Sequence, residues 1–283
     1  MNDLVSTAWL GERLGLPDLV VLDATYMLPG SGRDAQAEFR QAHVPGAVFF
    51  DIDAIADAGI PLPHMMPSAE QFARQVGALG VGDNTDVVVY DAHGLMSAAR
   101  AWWMLRAFGH ARVAVLDGGL PKWIAEGRPV ATGDASAPSA RTFVARPVPG
   151  AVALLDDVAA ASRTGAAQIL DARAAERFTG EAEEIRPGLR RGHVPGSRNL
   201  PFAALLDPRD KTLLPVEEIA RRIAAAGIDK DRPVITTCGS GVTACVLALG
   251  LRLAGASGVA VYDGSWTEWG QPSDRPVETG PAR

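Results

Sequence analysis

Residues 232–255 read RPVITTCGSGVTACVLALGLRLAG, and the class of fold can be predicted from this segment. The run PVITT is rich in β-branched residues and lies between a proline and a glycine-rich segment, which predicts a short buried strand. The run VTACVLALGLRLAG is long and apolar and ends at a glycine, which predicts a buried helix. A strand that passes through a tight CGSG turn into a helix is the repeating unit of an α/β protein.

The flanking sequence shows the same alternation of strand and helix. Residues 154–162 (LLDDVAAAS) and 216–227 (VEEIARRIAAAG) have helical patterns, and Gly227 is a suitable residue to follow a helix end. Residues 167–173 (AQILDAR) and 258–264 (GVAVYDG) have the composition of buried strands. Strands that alternate with helices predict an α/β fold with a mostly parallel sheet flanked by helices.

The chain contains one internal duplication. Four blocks of the first half recur in the same order in the second half, at offsets of 146 to 150 residues. The pairs are VVLDATYM (20–27) with QILDARAA (168–175), AHVPGAVFF (42–50) with GHVPGSRNLPF (192–202), DVVVYD (86–91) with RPVITTC (232–238), and VAVLDGGLPKW (113–123) with VAVYDGSWTEW (259–269). A period of domain size excludes a solenoid of short repeats. The duplication predicts two tandem domains of the same fold.

The segment between the halves has the composition of a linker. Residues 131–150 (ATGDASAPSARTFVARPVPG) are rich in Ala, Ser, Pro and Gly and have no helical apolar period. We therefore predict a first domain over 1–131, a linker over 132–150 and a second domain over 151–283.

Residues that occur in both halves are predicted to serve the scaffold. His43 and His193 precede the repeated VPG, and Trp123 and Trp269 end the last repeated block. The aspartates of the repeated LDA and DG pairs are assigned to the same class. Only one of the two halves carries a cysteine in the strand–helix turn, because Asp91 lies where Cys238 lies in the second half.

Composition restricts the class of protein. The chain has 283 residues, 47% hydrophobic and 21% charged, which is typical of a globular protein with two ordinary domains. Its net charge of −6 gives no general attraction to nucleic acid or to an anionic membrane, so neither partner is expected. Two cysteines are too few for a disulfide framework, and the first residues do not resemble a secretion signal. A cytoplasmic location is therefore expected.

Cys238 lies in a setting that makes a thiol reactive. It follows a predicted strand and precedes a predicted helix, and Gly239 and Gly241 let the backbone between them turn tightly. Such a loop directs main-chain N–H groups at the sulfur, and the helix N-terminus adds positive potential. These settings lower the pKa of a thiol and would also stabilise a persulfide anion. By contrast, Cys245 lies within the apolar helix and is predicted to pack in the core.

Two other cysteine chemistries fail on the sequence. A metal site would need further Cys or His ligands at close spacing, and none lies near Cys238, so no metal is expected. A cysteine-dependent phosphatase would need an arginine six positions after the cysteine, where this chain has Ala244.

The loop CGSGVTA, both HVPG blocks, DGSWTEW and the duplication resemble the rhodanese superfamily, and within it the 3-mercaptopyruvate sulfurtransferases. The resemblance covers essentially the whole chain. It implies two rhodanese-like domains, of which only the second is catalytic, and a sulfurtransferase that carries sulfur as a persulfide on Cys238. It also implies that no metal or organic cofactor is needed.

The resemblance also assigns the residues of the site. Arg177 and Arg186 match the arginines that bind the donor, and a planar guanidinium suits a carboxylate. A relay of Ser240, His64 and Asp53 is implied to assist proton movement. The remaining loop positions implied to bind substrate are Gly239, Gly241, Val242 and Thr243.

The identity of the donor is left open between two anions. Gly239 and Ser240, directly after the cysteine, are uncharged, which favours the monoanion 3-mercaptopyruvate over the dianion thiosulfate. The expected acceptor is a thiol such as thioredoxin, or cyanide. The alternatives are a thiosulfate:cyanide sulfurtransferase and a non-catalytic rhodanese-like module that carries sulfur or docks partners.

Overall fold

The structure is a computed structural model that describes residues 1–135 and 138–282. Residues 136 and 137, which belong to the predicted linker, and residue 283, the last of the predicted second domain, lie outside the described residues. The chain forms two compact units. The first comprises 1–57, 66–135, 138–148 and 207–213, and the second comprises 58–65, 149–206 and 214–282. Among these described residues, none of the helices has the length and apolar character needed to cross a membrane.

The first unit is a five-stranded parallel sheet with helices around it. The spatial order of its strands is β1-β5-β4-β2-β3. The strands are β1 Leu4–Val5, β2 Leu19–Asp23, β3 Val48–Phe49, β4 Asp86–Tyr90 and β5 Val113–Leu116. The helices are α1 Thr7–Gly11, α2 Ala35–Gln41, α3 Ala69–Ala78, α4 Ala98–Ala107 and α5 Gly119–Ala125.

The second unit repeats this arrangement. Its parallel strands have the order β6-β10-β9-β7-β8, which matches the first sheet position by position. The strands are β6 Val152–Ala153, β7 Gln168–Asp171, β8 Arg198–Asn199, β9 Val234–Thr237 and β10 Val259–Tyr262. The helices are α6 Leu155–Thr164, α7 Ala175–Thr179, a 3-10 helix Phe202–Leu205, α8 Val216–Ala225, α9 Ala244–Leu253 and α10 Ser265–Trp269.

Continuous apolar runs explain why the central strands lie inside. Helices cover both faces of a parallel sheet, so its central strands are apolar at successive positions rather than at alternate ones. Strand β4 (DVVVY) is buried from Val87 to Tyr90, and β9 (VITT) is buried throughout. Helices α4 and α9, which follow these strands, are themselves almost wholly buried. The prediction of a tandem α/β fold with two mostly parallel sheets is confirmed.

The repeated histidines and tryptophans are structural, as predicted. The buried rings of His43 and His193 stack on Phe39 and Phe178, and the Nδ1 atom of each histidine lies 2.8 Å from the carbonyl oxygen of the phenylalanine it stacks on. The tryptophans that end the last repeated blocks are at most 1% exposed and belong to the two cores.

Candidate active site

Cys238 is the first residue of a six-residue turn, 238–243, between β9 and α9. Its side chain is buried, and the residue is 2% exposed. Gly241 has a φ of +76°, in the left-handed region that side chains other than glycine rarely adopt. The turn can therefore close within six residues, and it places the sulfur at the carboxyl end of the sheet, the edge at which open α/β sheets bind ligands.

The first turn of α10 holds the outer side of the Cys238 loop. The N–H of Cys238 donates to Oγ of Ser265 at 3.2 Å, and its carbonyl accepts from the N–H of Trp266 at 3.0 Å. The carbonyl of Gly239 accepts from the N–H of Thr267 at 2.9 Å. Ser265 is fully buried and has a φ of +48°, so its hydroxyl is held in place at the cost of backbone strain.

The corresponding turn of the first unit holds a carboxylate. Asp91 follows β4 and is fully buried. One of its oxygens accepts the N–H of His93, and the other accepts the N–H groups of Met96, Ser97 and Ala98, all four at 2.8 Å. This strand–turn–helix junction is therefore able to bind an anion with main-chain amides alone. Its turn, 91–97, is one residue longer than the turn that begins at Cys238.

Arg177 lies beside the Cys238 loop. It is part of the short helix α7, and its side chain is 19% exposed. A methyl group on Gly239 would lie 3.2 Å from Nη2 and 3.9 Å from Nη1 of Arg177, so the guanidinium is in near contact with the loop. The prediction placed both residues in the substrate site, and the structure brings them together.

Glu184 joins Arg177 to a second arginine. One carboxylate oxygen accepts from Nη2 of Arg177 at 2.5 Å and from Nε at 3.2 Å, and the other accepts from Nη1 of Arg173 at 2.7 Å. Arg173 is buried, pairs with Asp171 at 2.6 Å and stacks on the ring of Trp266. Burial alone would lower the pKa of Arg173, but the charges and hydrogen bonds of Asp171 and Glu184 raise that pKa above its ordinary value.

His64 lies in the second unit although its number belongs to the first half of the chain. Its Nε2 is 3.3 Å from an Nη atom of Arg186. A guanidinium nitrogen can only donate, so Nε2 is the acceptor in this contact. His64 is buried and has a φ of +62°, an uncommon conformation for a residue other than glycine.

The other predicted residues occupy different positions. Val242 and Ser240 are buried in the loop, and Thr243 directly precedes α9. Asp53 belongs to the first unit, where its N–H donates to the carboxylate of Asp51 at 3.0 Å. Its part in a relay with Ser240 and His64 stays a prediction.

Cys245 is packed in the core, as predicted. It lies within α9, is fully buried, and its Sγ donates to the carbonyl of Gly241 at 3.3 Å.

The sequence interpretation missed Arg173, Glu184 and Ser265. Only Ser265 had a visible signal, because the repeat aligns it with Gly119, which has a φ of +55°. A serine in place of a left-handed glycine is a strained substitution, and such strain collects at functional sites. Arg173 ends the apolar segment AQILDAR and Glu184 lies in the polar segment EAEEIRPG, and nothing in a single sequence indicates that the two are buried together.

The chain is similar to known proteins along almost its whole length. The family model of the rhodanese-like domain matches residues 6–126 and 154–272. The thiosulfate/3-mercaptopyruvate sulfurtransferase 1, mitochondrial, of Arabidopsis thaliana is 45% identical over 98% of this chain and 78% of its own length. The 3-mercaptopyruvate sulfurtransferase of Homo sapiens is 45% identical over 94% of this chain and 91% of its own length.

A solved structure is similar over almost the whole chain. The crystal structure of SseA from Escherichia coli, a 3-mercaptopyruvate sulfotransferase, superimposes with a TM-score of 0.85 at 41% identity and covers 95% of this chain and 100% of its own. The chain therefore belongs to the rhodanese family, with one rhodanese-like domain in each half.

Proposed function

We propose that this protein is a 3-mercaptopyruvate sulfurtransferase that carries the transferred sulfur as a persulfide on Cys238. The observation that carries the proposal is the position of Cys238 at the start of a strand–turn–helix junction. The equivalent junction of the first unit binds the Asp91 carboxylate with four main-chain amides. A thiolate or a persulfide anion at Cys238 would be stabilised by the same kind of cradle, formed by Gly239, Gly241, Val242 and Thr243.

The first half-reaction moves one sulfur atom to the enzyme. Arg177 and Arg186 bind the carboxylate and carbonyl of the donor, and the Cys238 thiolate attacks the donor sulfur. A sulfur–sulfur bond forms while the carbon–sulfur bond breaks, and its electron pair leaves on carbon as the enolate of pyruvate. The enolate takes up one proton and becomes pyruvate. The donor thiol gives up one proton, so the transferred sulfur remains on Cys238 as a persulfide anion.

Proton movement in this step is assigned to Ser240, His64 and Asp53. The contact between Nε2 of His64 and Arg186 supports this assignment, because it places the imidazole next to the arginine assigned to the donor. A neutral imidazole is able to accept a proton and return it. Ser240, which is buried in the same loop as Cys238, is assigned the transfer of the proton to the leaving group.

The second half-reaction returns Cys238 to its thiolate. An acceptor thiol, such as that of reduced thioredoxin, attacks the outer sulfur and leaves as a persulfide, and cyanide leaves as thiocyanate. Both cysteines of the chain are free thiols in the structure. A reducing compartment such as the cytoplasm is part of this proposal, because the cycle needs Cys238 to be reduced.

Intact-mass analysis tests the persulfide. After incubation with 3-mercaptopyruvate and removal of small molecules, the protein should gain the mass of one sulfur atom and release one pyruvate. Cys238→Ala should gain nothing, and Cys245→Ala is the matched control that should still gain the sulfur. A wild-type protein that takes up no sulfur would instead favour a non-catalytic rhodanese-like module.

The second candidate is a thiosulfate:cyanide sulfurtransferase. One of the relatives is named for both donors, and Arg177, which lies beside the loop, would also attract a dianion. The uncharged residues Gly239 and Ser240 favour mercaptopyruvate. The comparison of kcat/KM for the two donors decides, and a clear preference for thiosulfate would contradict the first choice.

A further inference from the structure

The charges around Arg177 cancel within one cluster. Arg173 and Arg177 are joined by ion pairs of 2.5 to 2.7 Å to the carboxylates of Asp171 and Glu184. The side chain of Glu184 is 3% exposed, so water screens its charge very little. Two cations and two anions give this cluster no net charge, although one of its guanidinium groups lies against the Cys238 loop.

Glu184 also decides which edge of Arg177 faces the loop. Its oxygen binds the edge formed by Nε and Nη2, and the edge formed by Nη1 and Nη2 is the one next to Gly239. A donor anion at the loop is thus attracted by Arg177 and repelled by Glu184, whose carboxylate binds Nη2, the atom of Arg177 that is nearest to Gly239. Repulsion from a fixed negative charge is greater for a dianion than for a monoanion.

We propose that Glu184 is a specificity-determining residue: its buried carboxylate offsets the charge of Arg177, so that the site favours a singly charged α-keto acid donor over a doubly charged donor such as thiosulfate. The inference rests on the proposed function and explains its donor preference. Glu184 acts through Arg177 and touches no reacting atom, so it is a positioning residue rather than a catalytic one.

Three substitutions separate the charge of Glu184 from its shape. Glu184→Gln removes the charge and keeps the length, and Glu184→Asp keeps the charge and shortens the side chain. Glu183→Gln is the matched control, because the neighbouring Glu183 is 83% exposed and pairs with Arg191 on the surface. The thermal midpoint of each variant is measured first, so that a change in donor preference is not confused with a loss of folding.

The primary measurement is kcat/KM for thiosulfate divided by kcat/KM for 3-mercaptopyruvate, with cyanide as the acceptor. In Glu184→Gln we expect this ratio to rise about tenfold, the size of one unit-charge interaction at a partly buried site. Glu184→Asp and Glu183→Gln should leave the ratio within about twofold of wild type. An unchanged or lower ratio in Glu184→Gln, or an equal rise in Glu184→Asp, would overturn the proposal.

A second measurement does not depend on turnover. Cys238 is alkylated with iodoacetate, an anion, and with iodoacetamide, its neutral analogue, and the modified Cys238 peptide is quantified by mass spectrometry. The rate for iodoacetate relative to iodoacetamide should rise severalfold in Glu184→Gln and stay unchanged in Glu183→Gln. A fall would mean that Glu184 only supports Arg177, and it would refute the role in specificity. A wild-type enzyme inactive on both donors would refute the proposed function, while this alkylation ratio would still decide the role of Glu184.

Discussion

At the scale of single residues, buried carboxylates distinguish the two halves of the chain. Asp171 in the second unit has the guanidinium of Arg173 against it, whereas Asp23, its counterpart in the repeat, has Thr25 at the corresponding position. Burial raises the pKa of Asp23 to about 6, although hydrogen bonds from Thr25 oppose the shift. The same repeated aspartate is therefore compensated by a cation in one unit and by hydroxyl and amide groups in the other.

The first prediction concerns the dependence of stability on pH through Asp23. Its pKa in the folded state lies above the ordinary value of 3.8, so the folded state binds more protons between about pH 4 and 6. The stability that Asp23 contributes is complete below pH 4 and is lost as the pH rises through 6, by about 3 kcal/mol at most. Asp23→Asn should remove this part of the dependence of stability on pH.

Urea unfolding at pH 5 and pH 7.5 measures the effect of Asp23. The free energy of unfolding of wild type relative to Asp23→Asn should be lower at pH 7.5 than at pH 5. Asp231→Asn, at an exposed position, is the control and should leave the pH dependence of wild type unchanged. An equal change in the free energy of unfolding of wild type and Asp23→Asn between the two pH values would contradict the raised pKa of Asp23.

The second prediction concerns the amide cradle of Asp91. In Asp91→Asn one oxygen becomes an NH₂ group that faces N–H donors, so buried amides lose their acceptor. We expect the free energy of unfolding to fall by about 3 kcal/mol. Asp34→Asn is the control, because Asp34 caps α2 with one bond at an exposed position and asparagine caps equally well. Equal losses in the two variants would contradict an anion-binding cradle.

At the scale of secondary-structure elements, the N-terminus of α10 supports the Cys238 loop. Ser265 both starts this helix at a positive φ and accepts the N–H of Cys238. In the first unit the corresponding helix, α5, starts at Gly119, also at a positive φ and without a hydroxyl group. The second unit therefore accepts a strained residue that places one hydrogen-bonding group against the main chain of Cys238.

The third prediction compares Ser265→Ala with Ser265→Gly. Both variants lose the hydroxyl group at Cys238, and we expect both to lower kcat/KM for 3-mercaptopyruvate about tenfold. Only glycine relieves the positive φ, so Ser265→Gly should be more stable than Ser265→Ala by about 1 kcal/mol. Steady-state kinetics and thermal unfolding give the two quantities. Full activity in Ser265→Gly would show that the hydroxyl group is dispensable.

At the scale of the whole molecule, a duplicated fold carries a cysteine at the strand–helix turn in one half only. The two sheets have the same strand order, and the same sheet edge carries Asp91 in one unit and Cys238 in the other. The differences lie in the surrounding side chains. Thr25 stands where the second unit has Arg173, and Gly119 stands where it has Ser265. The turn of the first unit is also longer by one residue.

The fourth prediction follows from these differences. The double variant Asp91→Cys with Cys238→Ala places a thiol at the equivalent turn of the first unit without the partners of the second. We expect no sulfur uptake from 3-mercaptopyruvate by intact-mass analysis and no release of pyruvate. Cys238→Ala alone provides the baseline, and iodoacetamide labelling of the new thiol shows that it is present. Sulfur uptake by the double variant would mean that the turn alone is sufficient.

Short windows of the amino-acid sequence predict the α/β class, the duplication, the strand–helix turn that begins at Cys238 and the core positions of Trp123 and Trp269. These features are local or repeated, since strand and helix periods, turn glycines and aligned blocks are visible within short windows. Tertiary contacts alone place Glu184 between Arg173 and Arg177, Ser265 against the N–H of Cys238 and His64 in the second unit. Burial and ion pairing bring together residues that are distant or unpatterned in the chain, and no local period records them.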